Sequence, residues 1–271
     1  MSTYAVCIDG TWNGPGDPDA DPIEPAIETG KETNVHHVFR FLTAEWHPST
    51  QPDDVRPRDL LVNRQQPTPG RVLYLAGVGS SGNWVSTEFA GATGYGTMRR
   101  ILAGYRFLAE HYRNGDRIFG FGFSRGAYAV RSLAGLLYHV GLPAAPRLLT
   151  DAEVDDVEMR YKNRLGAPPH FRPVAVDFLG LWDTVAALRG DTSFHDVSPP
   201  NVRRVAHALA LDERRKQFEP TYWIGTGQAT EAEEVWFAGV HSNVGGGYEN
   251  AQLSNIALSW VMARARSRPG I

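Results

Sequence analysis

The sequence is nearly without cysteine: Cys7 is the single thiol in 271 residues. One thiol excludes an internal disulfide framework, and inside an apolar run it reads as a small buried hydrophobe. The chain also lacks a charge excess of either sign. Lys and Arg total 27 against 30 Asp and Glu, a net charge of −3, and no basic block occurs. That removes the electrostatic footprint of a nucleic-acid binder. No apolar run approaches membrane-spanning length, and the N-terminus enters a strand within four residues without a basic-then-apolar leader. These absences lead to the expectation of a soluble, cytoplasmic protein from a reducing compartment, with no nucleic acid partner and no transmembrane segment. They leave peripheral membrane contact and export by a non-Sec route such as type VI secretion open, and say nothing of oligomeric state. The sequence also has no internal repeat and no low-complexity tail. Its length suffices for one sizeable core, so a single domain over 1–271 is expected.

What is present alternates. Residues 4–9 read as a buried strand ending on Asp9, and a Pro-, Asp- and Glu-rich loop follows. Thr33–Trp46 reads as a helix, Pro48–Gly70 as a loop and Arg71–Ala76 as a strand. Gly96–Tyr112 is an amphipathic helix with Met98, Ile101, Leu102, Tyr105 and Leu108 on one stripe. Val174–Trp182 reads as a strand, Asn201–Leu211 as a helix, Glu234–Gly239 as a strand and Leu253–Arg266 as a helix. Residues 143–173 break the alternation with one charged helix, about Asp151–Arg164, and are expected to form a small cap over the site. Strands alternating with helices predict an α/β fold, a mostly parallel central sheet with helices on both faces. Asp9, Gly77, Ser124, Asp183 and His241 all fall at or just after the ends of predicted strands, where ligands of such sheets bind.

The stretch 117–137 organises the rest. Ile118, Phe119, Phe121 and Phe123 form a short aromatic-rich strand, and from Ala127 the spacing turns helical. Between them lies Gly122-Phe-Ser124-Arg-Gly126. A strand turning sharply into a helix holds the central Ser in a strained backbone, lifts its hydroxyl off the sheet and needs small residues two places either side. The plainer reading, a tight glycine-rich turn, is disfavoured because both flanks have the strand and helix that the turn requires. Ser124 is therefore the candidate nucleophile.

A Ser hydroxyl needs a neutral imidazole to take its proton, and that imidazole needs an acid to fix its tautomer. Chain order after a nucleophile elbow is Ser, acid, His. His241 ends the run Val235–Val240 and enters a Gly-rich loop, where an imidazole is exposed and adjustable. The rivals His170 and His195 lie in loops, and His207 on the predicted helix. For the acid, Asp183 ends a strand, whereas Asp177 lies mid-strand, and only a strand-end carboxylate reaches an imidazole above the sheet.

Four blocks carry a resemblance: Ile8-Asp-Gly-Thr-Trp-Asn13, Gly122-Phe-Ser-Arg-Gly-Ala127, Leu181-Trp-Asp-Thr-Val185 and Gly239-Val-His-Ser-Asn-Val-Gly-Gly-Gly-Tyr248. In this order they resemble the signature blocks of the DUF2235 family, which contains the catalytic domain of the Tle1 type VI secretion phospholipase effectors. The resemblance implies an α/β-hydrolase fold, hydrolysis of a lipid-type acyl ester, Asp183 as the acid and the Asp9 block at the site. His207-Ala-Leu-Ala-Leu-Asp-Glu-Arg214 also resembles a family block and is expected to serve packing and charged pairs. Two departures stand out: position 243 is Asn where family members often carry Asp, and no further module of the kind that larger effectors use to engage membranes follows the His block. Acyl-ester hydrolysis is accordingly implied more firmly than phospholipid specificity.

Two backbone N–H groups are expected to bind the oxyanion: that of Arg125, after the nucleophile, and one from Asp9-Gly10-Thr11, where Gly10 allows close approach. Asp9 would alternatively hold its own loop by accepting backbone N–H bonds. The Arg125 side chain is a candidate for an anionic substrate group. Competing motifs are weaker. Gly77-Val-Gly-Ser-Ser-Gly82 follows a strand as in a dinucleotide site, but no helix opens at once and the next strand ends at Ser124 rather than at an acid. Asp9-Gly-Thr is the tail of an aspartyl-phosphatase motif whose nucleophilic Asp is here Cys7. A hydrolase-fold binding or immunity protein is the non-enzymatic alternative, and turnover of a simple acyl ester separates it. The expected chemistry needs no metal and no organic cofactor.

Overall fold

The computed structural model describes residues 1–10, 32–43, 60–62, 70–77, 93–186, 198–224 and 231–266. Its strands are β1 (Thr3–Ile8), β2 (Leu60–Val62), β3 (Gly70–Leu75), β4 (Arg117–Phe123), β5 (Leu142–Pro143), β6 (Phe171–Arg172), β7 (Phe178–Trp182), β8 (Arg204–Ala210) and β9 (Glu231–Phe237). Its helices are α1 (Asn34–Thr43), α2 (Thr93–His111), α3 (Arg125–His139), α4 (Asp151–Asn163), α5 (His241–Gly245) and α6 (Gln252–Arg266). Seven strands form one sheet in the order β2-β3-β1-β4-β7-β8-β9. Every pairing is parallel except β2 with β3, so one short antiparallel strand edges an otherwise parallel sheet. The strands step from β1 to β3 in one direction and from β4 onward in the other. The order therefore reverses between β1 and β4, and such a switch point opens a crevice at the strands' carboxyl ends.

The sequence pattern explains the two layers. On β4, Phe119, Phe121 and Phe123 project to one face, where Val35, Val38 and Phe39 of α1 and Ala257, Val261 and Ala265 of α6 meet them. Ile118 faces the other way and joins the helical stripe Met98, Ile101, Tyr105 and Leu108 of α2 and Val130, Leu133 and Leu137 of α3. Each face is thus covered by helices, as a parallel sheet requires. Cys7 is wholly buried in the first of these clusters, and burial drives its thiol far above the ordinary range. Among the described residues no helix is long and apolar enough to cross a membrane.

Three expectations fail. Residues 204–210 form β8, the strand next to the sheet edge β9, not a helix; Ala-rich Arg204–Ala210 has high helix propensity, but the slot between β7 and β9 overrides it. Strand β2 falls inside the stretch read as a loop. The segment 143–173 is not where a cap over Ser124 would be. Arg147 N donates to Ala109 O at the end of α2, Val174 N donates to Leu137 O at the end of α3, and the rings of Tyr161 and His139 meet. Val154, Val157 and Tyr161 are buried against those helix ends. Helices of a parallel sheet run opposite to its strands, so α4 and the β5–β6 hairpin lie at the edge where strands begin. Ser124 lies at the other edge.

Candidate active site

Gly122 and Gly126 are both demanded by close approach. A Cβ at Gly122 would lie 2.7 Å from Gly126 O, and one at Gly126 would lie 2.1 Å from Ile8 O and 2.4 Å from Asp9 O. No real side chain fits either place, so the end of β1 is pressed against the turn between β4 and α3. Between these glycines Ser124 has φ 57° and ψ −125°, a strained backbone for a residue with a Cβ. Its N–H donates to Trp182 O (2.9 Å), and its carbonyl accepts from Val185 N (3.3 Å), which ties it to the end of β7. Arg125 is the first residue of α3, so the helix end directs its first N–H groups past Ser124. Burial pulls the Arg125 guanidinium down to about 10.

Asp183 and His241 meet. The imidazole Nδ1 is 2.6 Å from Asp183 Oδ2, and both residues are buried. Asp183 has φ 40°, its N–H donates to Ala208 O, and its Oδ1 accepts from Ala210 N (2.9 Å). The carboxylate is therefore anchored on β8 by one oxygen and offers the other to the ring. Nδ1–H donates to it, which leaves the Nε2 lone pair; that nitrogen is buried without a hydrogen-bond partner among the described residues. The ring packs against Phe123, the residue before Ser124, at 4.6 Å between centroids, and against Phe218 at 4.7 Å. The Ser124 hydroxyl does not hydrogen-bond Nε2 in this arrangement.

His241 opens the short helix α5 rather than lying in an open loop. Asn243 holds that start: its Oδ1 accepts from Val240 N (3.1 Å). His241 N donates to Glu213 Oε2, whose carboxyl is held near 2 chiefly by its bond to Arg215. Arg215 in turn lies over the Phe218 ring at 3.9 Å. Sequence reasoning read Glu213 only as part of a block for packing and charged pairs and passed over Phe218, since nothing in the string says that 211–218 folds back onto His241.

Asp9 lies beside the elbow, but its carboxylate is occupied. Oδ1 accepts from Gly10 N (2.7 Å), and Oδ2 accepts from Thr33 Oγ1 (2.6 Å) and Tyr74 OH (2.7 Å). Burial raises its carboxyl to about 6, against the lowering effect of these three donors. Gly10 N–H is thus engaged by its own neighbour, the loop-holding alternative for Asp9. Thr11, His195 and Gly79–Gly82 of the second glycine motif lie outside the described residues, although Gly77 follows β3 as expected.

The other candidates stand elsewhere. Asp177 precedes β7 at the opposite sheet edge, where it accepts from Ile118 N (3.0 Å) and Arg203 (2.9 Å) and faces Arg117 (3.6 Å). His170 lies at that same edge, its carbonyl accepting from Ala144 N. His207 lies within β8, fully buried, with Nδ1 2.8 Å from Glu234. Of the charged pairs expected of the 207–214 block, Glu213–Arg215 is present, on a turn instead of a helix, while His207 meets Glu234 from strand β8 as a ring that burial keeps neutral. Among the described residues no group of three His, Cys, Asp or Glu side chains is arranged to hold a metal ion.

An uncharacterised Saccharomyces cerevisiae protein is 34% identical over 140 residues, covering 44% of this chain and 20% of its own length. A solved Pseudomonas aeruginosa protein of uncharacterised function superposes with a TM-score of 0.53 at 20% identity, over 97% of this chain and 45% of its own; it shares the fold. The Tle1 effector bound to the VgrG spike of the type 6 secretion system gives a TM-score of 0.44 at 21% identity, over 92% of this chain and 51% of its own. This chain thus spans between a fifth and about half of the length of these relatives. The sequence matches the family described as the type VI secretion phospholipase effector Tle1-like catalytic domain across residues 3–264, and the chain belongs to that family.

Proposed function

We propose that this chain is a serine ester hydrolase that cleaves a lipid-type carboxylic ester, with Ser124 as nucleophile, His241 as base and Asp183 as acid. The observation that carries the reading is the Asp183–His241 pair, whose Nε2 lone pair is buried, without a partner among the described residues, on a ring packed beside the residue that precedes Ser124. Ser124 Oγ attacks the ester carbonyl carbon and its proton passes to Nε2. The tetrahedral oxyanion is met by the N–H of Arg125 and, from the Asp9-Gly10-Thr11 turn, by that of Thr11, since the Asp9 and Gly10 N–H groups already donate to Leu75 O and Asp9 Oδ1. Collapse expels the alcohol, which takes the proton from Nε2 and leaves an acyl-Ser124. Water then repeats the sequence and releases the carboxylic acid. The lipid arm is supported by the family to which the chain belongs; a phospholipid is the substrate that its description suggests.

A fluorophosphonate should add one adduct to the protein, at Ser124. Ser124→Ala should abolish both labelling and turnover of p-nitrophenyl butyrate while leaving Tm nearly unchanged. Labelling at another residue, or full activity of the variant, defeats the assignment.

A further inference from the structure

Left-handed backbone is disfavoured for a residue with a Cβ, and it persists only where the surroundings hold it. Asp183 is such a residue, with φ 40°, and the direction of its carboxylate follows from that corner. Besides the bond from His241 to Asp183, several hydrogen bonds among the described residues hold residues 183–185. Asp183 N donates to Ala208 O, Thr221 N to Thr184 O and Val185 N to Ser124 O. Ala210 N donates to Asp183 Oδ1, and Thr184 N donates to His207 Nε2 at 3.2 Å. In the last, a side chain from outside the corner accepts.

That bond fixes the state of the ring. A backbone N–H can only donate, so Nε2 is the bare nitrogen, also approached by Thr184 Oγ1 at 3.0 Å. The proton is on Nδ1, which donates to Glu234 Oε1 at 2.8 Å. Glu234 Oε1 is itself fixed by Trp223 N at 2.7 Å. The ring is wholly buried between β7 and β9, with Arg131 of α3 among the charges nearby, and burial keeps it neutral. A Leu would fill the same space but leave Thr184 N–H buried without an acceptor.

We infer that His207 is a positioning residue for the acid: held by Glu234, its neutral ring clamps the Asp183–Thr184 corner so that the Asp183 carboxylate faces His241. The inference rests on the hydrolase reading for its kinetic consequence, but not for its structural one.

The test compares His207→Leu, His207→Gln and His207→Asn. Gln places a carboxamide oxygen near the position of Nε2 and can accept Thr184 N–H; Asn is too short to do so. Steady-state hydrolysis of p-nitrophenyl butyrate is read together with the low-field proton NMR signal of His241 Nδ1–H, assigned by its loss in Asp183→Asn. Displacement of the acid should lower kcat about 100-fold in the Leu variant with KM within about twofold. The His241 signal should shift or vanish while amide dispersion is retained. The Gln variant should recover to within about tenfold of wild type, and the Asn variant should not. A folded Leu variant with wild-type kcat and an unmoved His241 signal overturns the inference, as does equal loss in Gln and Asn. If the Leu variant does not fold, the Gln–Asn pair decides. Absence of turnover and of Ser124 labelling in wild type would defeat the hydrolase reading instead, and the NMR comparison would still judge His207.

Discussion

Strand β7 carries a buried carboxylate at each end, and the two have opposite fates. Asp177, before the strand, is surrounded by donors that are charged or fixed: Arg203, Arg117 and Ile118 N. Asp183, after the strand, has one oxygen on a backbone N–H and the other on an imidazole whose far nitrogen has no partner among the described residues. Both are buried polar groups that have found hydrogen bonds, as burial demands. The difference is what stands behind the partner. Behind the arginines of Asp177 there is nothing to react, whereas behind His241 is a lone pair at the edge that carries Ser124. On the proposed reading the same strand supplies an anchor at one end and the acid at the other, and position along it separates the roles.

The largest expected effect breaks this comparison directly. Asp183→Asn keeps the shape but presents an amide to Nδ1, favouring the wrong tautomer of His241. It should lower kcat on the order of 10⁴-fold with little change in KM. Asp177→Asn should leave kcat within about twofold and destabilise the fold by about 1–3 kcal/mol, the cost of weakening hydrogen bonds to a charged group. Steady-state kinetics and urea unfolding of both variants check it. The reverse pattern would move the acid to the other end of the strand.

A smaller effect sharpens the contrast at the site's own edge, between Asp9 and its near neighbour Glu32. Burial raises the Asp9 carboxyl to about 6, so the fold favours its protonated form. That contribution is complete below the unfolded value of about 3.9 and is lost as pH rises through about 6. Glu32 is lowered to about 2 despite its burial, because His36, His37 and Arg40 attract the charge. Its contribution is present above about 4.3 and is lost as pH falls. Wild type measured against Asp9→Asn should therefore lose, between pH 4 and pH 7, on the order of 2–3 kcal/mol of relative stability. A Glu32→Gln comparison should run with the opposite slope, at lower pH. A flat Asp9 difference across that interval would mean that Thr33, Tyr74 and Gly10 hold the charge more tightly than burial opposes it.

How much of this could be read in the string follows from where the information is stored. The β4–α3 stretch was legible because its constraints are local: the phenylalanines, the glycines and the helical spacing all act within twenty residues. Asp183 and His241 were legible because strand ends mark one edge of a parallel sheet. Strand β8 was not, since His207-Ala-Leu-Ala210 gains its conformation from neighbours contributed by β7 and β9. Glu213, Thr33 and Tyr74 were missed for the same reason: each acts on a site residue at least 24 positions away. The side of the sheet on which 143–173 packs was likewise absent from its own pattern. An amphipathic helix announces an apolar face, not the surface that receives it.

The smallest expected effect concerns that segment. Val154, Val157 and Tyr161 are buried against the ends of α2 and α3, while Leu148 and Met159 are 74% and 42% exposed. If the segment covered Ser124, those exposed apolar groups would be the natural lining for an acyl chain. At the opposite edge they touch no substrate. Leu148→Ser combined with Met159→Ser should change stability by no more than about 0.5 kcal/mol, as for other exposed positions. The ratio of kcat/KM for p-nitrophenyl octanoate to that for the acetate should stay within about twofold of wild type, because a side chain that meets neither ground state nor transition state cannot discriminate between them. Val157→Ala serves as the contrast on the buried face: it should cost about 1–3 kcal/mol through the cavity it leaves, again without moving the ratio. A chain-length preference that shifts in the double variant would place the segment over the acyl site and restore it as a cap. An unchanged ratio leaves acyl-chain selection to residues at the Ser124 edge of the sheet.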